Sequence, residues 1–168
     1  MKTRLAVMED LPEIKSACQE IVRQMERNRI QIWDDYYPGE FFETDIRNRR
    51  LYLLEHETEP VAVFALCHVD AGENSIKWEK QDGRALYLDR FFVSVHWQGT
   101  GAGRQMLDFA KETAKTLGAE YLRLFVVDAN LPAIRLYSEN GFVRKEGLYG
   151  LAVDEGLILY EYGYEKRL

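Results

Sequence analysis

The sequence is short of the residue types that mark several classes of protein. Its 168 residues include four prolines and two cysteines, which argues against a disordered chain and against a disulfide-stapled secreted domain. No apolar run approaches the roughly 18 residues of a membrane-spanning helix, and the first residues lack the apolar core of a signal peptide. Cys18 and Cys67 have no metal-binding spacing. We therefore expect buried thiols, no metal and a cytoplasmic protein without a membrane partner.

Positive charge is also in the minority. Lys and Arg number 22 against 28 Asp and Glu, a formal net charge of −6. Because contacts with phosphates need clustered Lys and Arg, we expect no nucleic-acid partner. An acidic chain suits a cationic small molecule better. Hydrophobic residues make up 46% and charged residues 30%, a balance typical of globular proteins, so residues 1–168 are predicted to form a single domain.

Hydrophobic periodicity predicts alternating strands and helices. Strands are expected at residues 3–7, 51–54, 61–69, 86–93, 121–127, 142–145 and 157–164. Helices are expected at 10–28, 101–117 and 130–139, with two short helices between residues 31 and 50. Residues 146–156 are expected to form a loop. This order predicts an α/β sandwich with a mixed sheet of six to seven strands flanked by about four helices.

A glycine-rich segment, Gln98-Gly-Thr-Gly-Ala-Gly-Arg104, joins a predicted strand to a predicted helix. Glycines allow a tight turn and let an anion approach the backbone. The first N–H groups of a helix have no partner within the helix, so a phosphate or pyrophosphate is the expected ligand. A P-loop would need Gly-Lys-Ser/Thr here, and a dinucleotide-binding motif would need glycine at Arg104. The structural alternative is a tight connection that binds nothing.

Together with a later segment, this turn resembles the GCN5-related N-acetyltransferase superfamily, which transfers acyl groups from acyl-CoA. Residues 98–103 match the superfamily's Gln/Arg-x-x-Gly-x-Gly/Ala signature, and residues 130–142 match its Asn-x-x-Ala-x-x-Leu-Tyr-x-x-x-Gly-Phe segment. The two blocks cover about residues 86–143, whereas the first 80 residues match in coarse topology alone. The resemblance implies a centrally splayed sheet and acetyl-CoA as the co-substrate.

The resemblance also implies which residues bind acetyl-CoA. The backbones of Val93 and Val95 would hold the pantetheine, and Asn130 would hydrogen-bond the CoA arm, unless it is only a helix N-cap. The pyrophosphate would be held by the backbone amides of Gln98, Gly99, Thr100, Gly101, Ala102, Gly103 and Arg104.

Two residues are the catalytic candidates. Tyr137 matches the superfamily tyrosine that acts as a general acid toward the CoA sulfur; the alternative is a tyrosine that packs beside Phe142. Asp89 shares the parity of Val93 on one strand, so both would face the same side of the sheet. Its carboxylate would accept the amine proton through a water or bind the ammonium, unless it pairs with Arg90. Phe125 stands where ribosomal-protein N-terminal acetyltransferases carry a catalytic Glu, which argues against that activity.

The acceptor is predicted to be a primary amine of a small molecule, such as a polyamine or an amino acid. Aromatic and acidic residues alternate between residues 33 and 43, and an alkylammonium is attracted to both. Trp33, Asp34 and Tyr37 are therefore predicted to form one wall of the pocket, unless these aromatics only pack helices. The function predicted is acetyl transfer in a ternary complex. The alternative is a catalytically silent CoA-binding sensor, and a homodimer is left open.

Overall fold

The computed structural model of the chain describes residues 1–154 and 156–168. These residues separate into two compact units, one made of residues 1–66 and 90–110 and the other of residues 67–89 and 111–168. Strand β5 (Ala85–Val93) and helix α3 (Ala102–Thr116) contribute residues to both units. The described residues form a mixed α/β fold with four α-helices and an eight-stranded sheet, as predicted apart from one additional strand in the sheet.

In the first unit, antiparallel strands form the sheet. Its strand order is β1-β2-β3-β5, and β2 pairs antiparallel with both β1 and β3. Helix α1 buries Ile14, Cys18, Ile21 and Val22, the stripe that residues three and four apart form on one helix face. The elements are β1 (Lys2–Leu5), α1 (Leu11–Arg27), α2 (Phe42–Arg47), β2 (Leu51–His56) and β3 (Glu59–Cys67).

In the second unit, the strand order is β5-β6-β10-β7, and β9 also pairs with β10. Strands β4 and β8 form a separate two-stranded ladder. The long strand β10 is antiparallel to β6, β7 and β9. The remaining elements are β4 (Ile76–Lys77), β6 (Tyr121–Val127), α4 (Leu131–Glu139), β7 (Val143–Arg144), β8 (Glu146–Gly147), β9 (Tyr149–Asp154) and β10 (Leu157–Arg167).

Strands β5 and β6 run parallel but pair over a short length. The register joins Ala85, Leu86 and Tyr87 of β5 to residues 121–123 of β6. Both strands continue further, yet the ladder of the described residues ends there. A central splay of the sheet stays a prediction of the family resemblance.

Two predictions about local structure are wrong. Residues 31–38 form turns instead of a short helix, because the Asp34 carboxylate accepts the N–H groups of Tyr36 and Tyr37 at 2.8 and 2.7 Å and competes with helical hydrogen bonds. Residues 146–156 are not a loop, because β9 pairs with β10 there; residue 155 lies outside the described residues. Cys18 and Cys67 are buried and form no disulfide, as predicted.

One fully buried carboxylate anchors α2 in the first unit. Asp45 is 0% exposed, and its oxygens accept hydrogen bonds from Arg90 Nε and Arg50 Nε, both at 2.6 Å. Arg90 also donates through a terminal nitrogen at 3.1 Å and is itself 8% exposed. The pair joins α2 to β5 and is shielded from water, so removing one partner would leave a buried charge uncompensated.

We therefore expect Asp45→Asn to lower the free energy of unfolding by about 3–5 kcal/mol, because it keeps the side-chain shape but strands the Arg90 charge. Urea unfolding followed by circular dichroism measures this. The matched control is Glu43→Gln, which removes the exposed pair with Arg47 on the same helix and should change the unfolding free energy by less than about 0.5 kcal/mol. Equal, small effects of the two variants would contradict the expectation.

Candidate active site

The glycine turn of the first unit has the backbone that its sequence predicts. Gly99 and Gly101 have φ angles of +76° and +91°, a left-handed region that glycine enters without strain. A Cβ atom built on either residue would meet no atom within 4 Å. The backbone conformation therefore demands glycine at both positions, and the space beside the turn is open.

Helix α3 begins directly after this turn. The N–H of Gln105 donates to the carbonyl of Gly101 at 3.0 Å, so the amides of Ala102, Gly103 and Arg104 precede the first hydrogen bond of this helix. Such amides have no carbonyl partner within a helix and lie at its positive end. Together with the open space at the glycines, this donor set fits a pyrophosphate. Residues 98–101 are exposed, which leaves the cradle accessible.

The side chain of Gln98 has a structural task that the sequence did not indicate. Its Nε2 donates to Gln24 Oε1 of α1 at 3.0 Å and to the carbonyl of Val93 at 3.3 Å. The backbone N–H groups of Gln98 and Thr100, both predicted to bind the pyrophosphate, donate within the turn to the carbonyls of Val95 and Trp97, each at 3.4 Å. The side-chain amide of Gln98 therefore ties the turn to α1 through Gln24 and to the end of β5 through Val93. Val95 begins a short 3-10 turn, Val95–Trp97, which lies between the end of β5 and Gln98.

Asn130 caps the helix that carries Tyr137. Its Oδ1 accepts the N–H of Ala133 at 3.3 Å, and Pro132 lies in the first turn of α4, where a missing N–H costs nothing. The predicted capping of α4 is confirmed. Asn130 belongs to the second unit, whereas the other predicted CoA-binding residues belong to the first.

The second unit contains both catalytic candidates, and Tyr137 lies within range of the negative charge of Asp89. Tyr137 is 7% exposed, and its ring lies 5.9 Å from that of Phe142, edge to face. Burial, and secondly the negative charge of Asp89, raise the pKa of the Tyr137 phenol. The phenol therefore keeps its proton at neutral pH, as a proton donor must.

The parity argument for Asp89 assumes a regular strand between Asp89 and Val93. Arg90 has a φ of +52°, a left-handed conformation inside a strand that interrupts the regular alternation of side chains between Asp89 and Val93. Arg90 turns its guanidinium toward Asp45. That Asp89 and Val93 face the same side of the sheet stays a prediction.

Sequence reasoning missed Glu161. This half-buried residue of β10 lies opposite Val127 of β6 and Tyr149 of β9. Burial, followed by the negative charges of Asp70 and Asp89, raises the pKa of its carboxyl group from 4.5 to about 7. The signal was a single carboxylate inside the apolar and aromatic run Leu157-Ile-Leu-Tyr-Glu-Tyr162, where an unpaired charge is costly.

The aromatic stretch forms a packed cluster in the first unit. Trp33 meets Phe92 of β5 edge to face, with ring centroids 6.2 Å apart, and Tyr37 at 6.4 Å. One oxygen of the exposed Asp34 accepts both N–H groups of its own turn. The cluster-packing interpretation describes these contacts, and a wall of an amine pocket stays a prediction.

The structure describes residues 1–154 and 156–168. Within these ranges no group of three His, Cys, Asp or Glu side chains is arranged to hold a metal ion. No helix there has both the length and the apolar character needed to cross a membrane.

Comparison with known proteins identifies the family of this chain. The profile of the acetyltransferase (GNAT) family matches residues 10–142. The chain therefore belongs to this family.

A probable spermine N(1)-acetyltransferase from Bacillus subtilis subsp. natto is 37% identical over 65 residues, which are 38% of this chain and 42% of that protein. This chain thus matches less than half the length of that relative. A GNAT acetyltransferase from Streptococcus agalactiae superimposes with a TM-score of 0.80 at 17% identity, covering 99% and 95% of the two chains. The protein yncA from Salmonella typhimurium, solved with its cofactor acetyl-CoA, superimposes with a TM-score of 0.68 at 18% identity, covering 99% of this chain and 93% of that chain.

The raised pKa of Glu161 has a consequence for stability that does not depend on function. The unfolded chain ionises this group near pH 4.5, whereas the folded chain holds the proton until about pH 7. Relative to Glu161→Gln, the wild-type free energy of unfolding should therefore fall as pH rises from 4.5 to 7, by up to about 3 kcal/mol. Urea unfolding at several pH values measures the difference.

The control is Glu146→Gln, whose side chain is 81% exposed; its unfolding free energy should follow that of the wild type at every pH. Parallel pH dependences of the wild type and Glu161→Gln would refute the assigned environment of Glu161.

Proposed function

We propose that the chain transfers an acetyl group from acetyl-CoA to a primary amine of a small molecule, with a polyamine as the leading substrate class. The observation that carries the proposal is the open glycine turn that precedes α3 in a chain of the GNAT family. The buried Tyr137, which carries its proton at neutral pH, supports it. The relative named as a spermine acetyltransferase and the net charge of −6 both favour a polycationic acceptor.

The glycine turn is the proposed binding site for the pyrophosphate of acetyl-CoA, through the backbone amides of residues 98–104. The backbones of Val93 and Val95 would hold the pantetheine. Asn130 uses its oxygen to cap α4, which leaves its amide nitrogen able to donate to the CoA arm. Acetyl-CoA, when bound, supplies the acetyl group as a thioester.

In the proposed reaction, Asp89 attracts the ammonium of the acceptor and Tyr137 donates a proton to the departing sulfur. Tyr137 is proposed as the donor because its buried phenol carries its proton at neutral pH. Trp33, Asp34 and Tyr37 are proposed to line the acceptor pocket, where aromatic faces and a carboxylate attract a cation. Direct attack in a ternary complex needs no covalent enzyme intermediate.

Several broader expectations also remain part of the proposal. Residues 1–168 are proposed to work as one acetyltransferase domain in the cytoplasm, without a metal, a nucleic acid or a membrane partner, either alone or as a homodimer. The competing function is a catalytically silent CoA-binding sensor. Tyr137 favours the enzyme, because a sensor need not retain the proposed general acid.

The first test concerns binding of CoA at the glycine turn. Gly101→Glu places a carboxylate and a strained backbone in the proposed cradle, so calorimetry should show CoA affinity reduced at least about 100-fold by charge repulsion and lost amide contacts. Gly118→Glu is the matched control. Gly118 also has a positive φ, +87°, and open space, but it follows the opposite end of α3. Equal CoA affinity in the two folded variants would place the cofactor elsewhere.

The second test concerns the proton donor. Tyr137→Phe removes only the hydroxyl group, so turnover with spermine should fall by about 10²–10⁴-fold while CoA affinity stays within about twofold. Release of free thiol measures turnover, and Tyr160→Phe, 45% exposed on β10, is the control. Wild-type turnover in Tyr137→Phe would show that water protonates the sulfur. Absence of thiol release with every amine of a broad panel would favour the sensor.

A further inference from the structure

Three carboxylates of the second unit, one in a turn and two on strands, interact electrostatically. Asp70 follows β3, Asp89 lies on β5 and Glu161 lies on β10. The charges of Asp70 and Asp89 both act on Glu161, and the charge of Asp89 also acts on Tyr137. A buried acid with two like-charged neighbours, in the unit that carries the proposed proton donor, is an arrangement that proton transfer uses.

Close packing holds Asp70 near Glu161. The Asp70 carboxylate accepts a hydrogen bond from the N–H of Gly72 at 2.8 Å. This bond fixes the turn that contains Asp70 and Gly72. A Cβ atom on Gly72 would stand 2.8 Å from Phe125 Cε1 and 2.8 Å from Tyr149 Cγ, so the turn is pressed onto these two rings. Tyr149 pairs with Glu161 in the register of β9 and β10. The turn therefore sits on the strand residue that faces Glu161.

Glu161 and Tyr137 are tied to the same end of β6. Glu161 lies opposite Val127, the last residue of that strand. The N–H of Asp128 then donates to the carbonyl of Tyr160 at 2.9 Å. Helix α4, which carries Tyr137, starts at Leu131. A short, hydrogen-bonded connection thus links the strand of Glu161 to helix α4, which carries Tyr137.

We propose that Glu161 is the catalytic residue that takes the proton from the acceptor ammonium, with Asp89 as the counter-ion of that ammonium and Asp70 as a positioning residue for Glu161. This assignment rests on the proposed acetyl transfer and deepens it by naming the proton acceptor. It also implies an acceptor that arrives positively charged, since two further carboxylates surround Glu161.

The proton and electron balance closes with these residues. The ammonium gives one proton to the Glu161 carboxylate, and the freed nitrogen lone pair forms the C–N bond. The C–S bond breaks, and the sulfur takes the Tyr137 proton. The second nitrogen proton restores Tyr137, and Glu161 releases its proton to water. One proton is released in each turnover.

The surroundings of Glu161 suit this task. The titratable groups of the neighbouring elements that face it are Asp70 from the turn, Asp89 from β5 and the Tyr149 phenol from β9, while β6 presents the apolar Val127. Burial and the two negative charges raise the pKa of Glu161 to about 7. A base with a pKa near the working pH combines a large ionised fraction with a high proton affinity.

The first experiment measures kcat/KM for spermine as a function of pH. The wild type should lose activity below about pH 7, as Glu161 becomes protonated. Glu161→Gln should lower kcat/KM about 10²–10⁴-fold at about pH 7.5, with partial recovery at higher pH, where free amine is abundant. Asp70→Asn keeps an oxygen for Gly72 but removes a negative charge, so the acidic limb should move to lower pH.

Matched controls separate these effects from nonspecific ones. Glu146→Gln and Asp82→Asn, both at exposed positions of the second unit, should retain the wild-type profile. A wild-type profile in Glu161→Gln, or an acidic limb that stays in place in Asp70→Asn, would overturn the assignment.

The second experiment needs no turnover. Carboxyl NMR of protein labelled with [13C]glutamate, with the Glu161 signal identified by its loss in Glu161→Gln, should show a titration midpoint near 7 that shifts when spermine is added. A midpoint near 4.5 with and without spermine would overturn the role of Glu161 even if acetyl transfer is observed. A midpoint near 7 that spermine shifts, without thiol release for any amine, would instead overturn the proposed acetyl transfer.

Discussion

Burying a carboxylate is costly, and this chain meets the cost in two opposite ways. In the first unit, Asp45 is fully enclosed and two arginines neutralise it. In the second, Glu165 is 2% exposed and pairs with Arg123 at 2.8 Å. At Glu161, burial is instead accompanied by further negative charge from Asp70 and Asp89. The neutralised carboxylates hold elements in place, whereas the repelled one retains a proton near neutral pH.

The residues best predicted from sequence are those whose roles are local. The φ angles of Gly99 and Gly101 follow from a strand-to-helix turn, and the capping oxygen of Asn130 follows from the Asn-x-Pro start of a helix. Each depends on fewer than about five neighbouring residues, so the chain itself carries the information. The family resemblance drew on the same two segments.

The features that sequence did not predict all depend on distant partners. Strand β9 forms because it pairs with β10, whereas the sequence between residues 146 and 156 has no strong strand signal of its own. Glu161 acquires its properties from residues 91 and 72 positions earlier in the chain, Asp70 and Asp89. The turns of residues 31–38 result from a side-chain competition at Asp34 that hydrophobic periodicity does not register. Tertiary context decided these cases.

The tight seat of Gly72 limits how this region can vary during evolution. Even one methyl group at that position would collide with the rings of Phe125 and Tyr149. The turn would have to lift from the sheet, and the Asp70 charge would move with it. A substitution at residue 72 would thus alter the acidity of a group on another strand without touching any ionisable atom. The acidity of Glu161 can therefore change through a substitution at Gly72, a residue that has no side chain of its own.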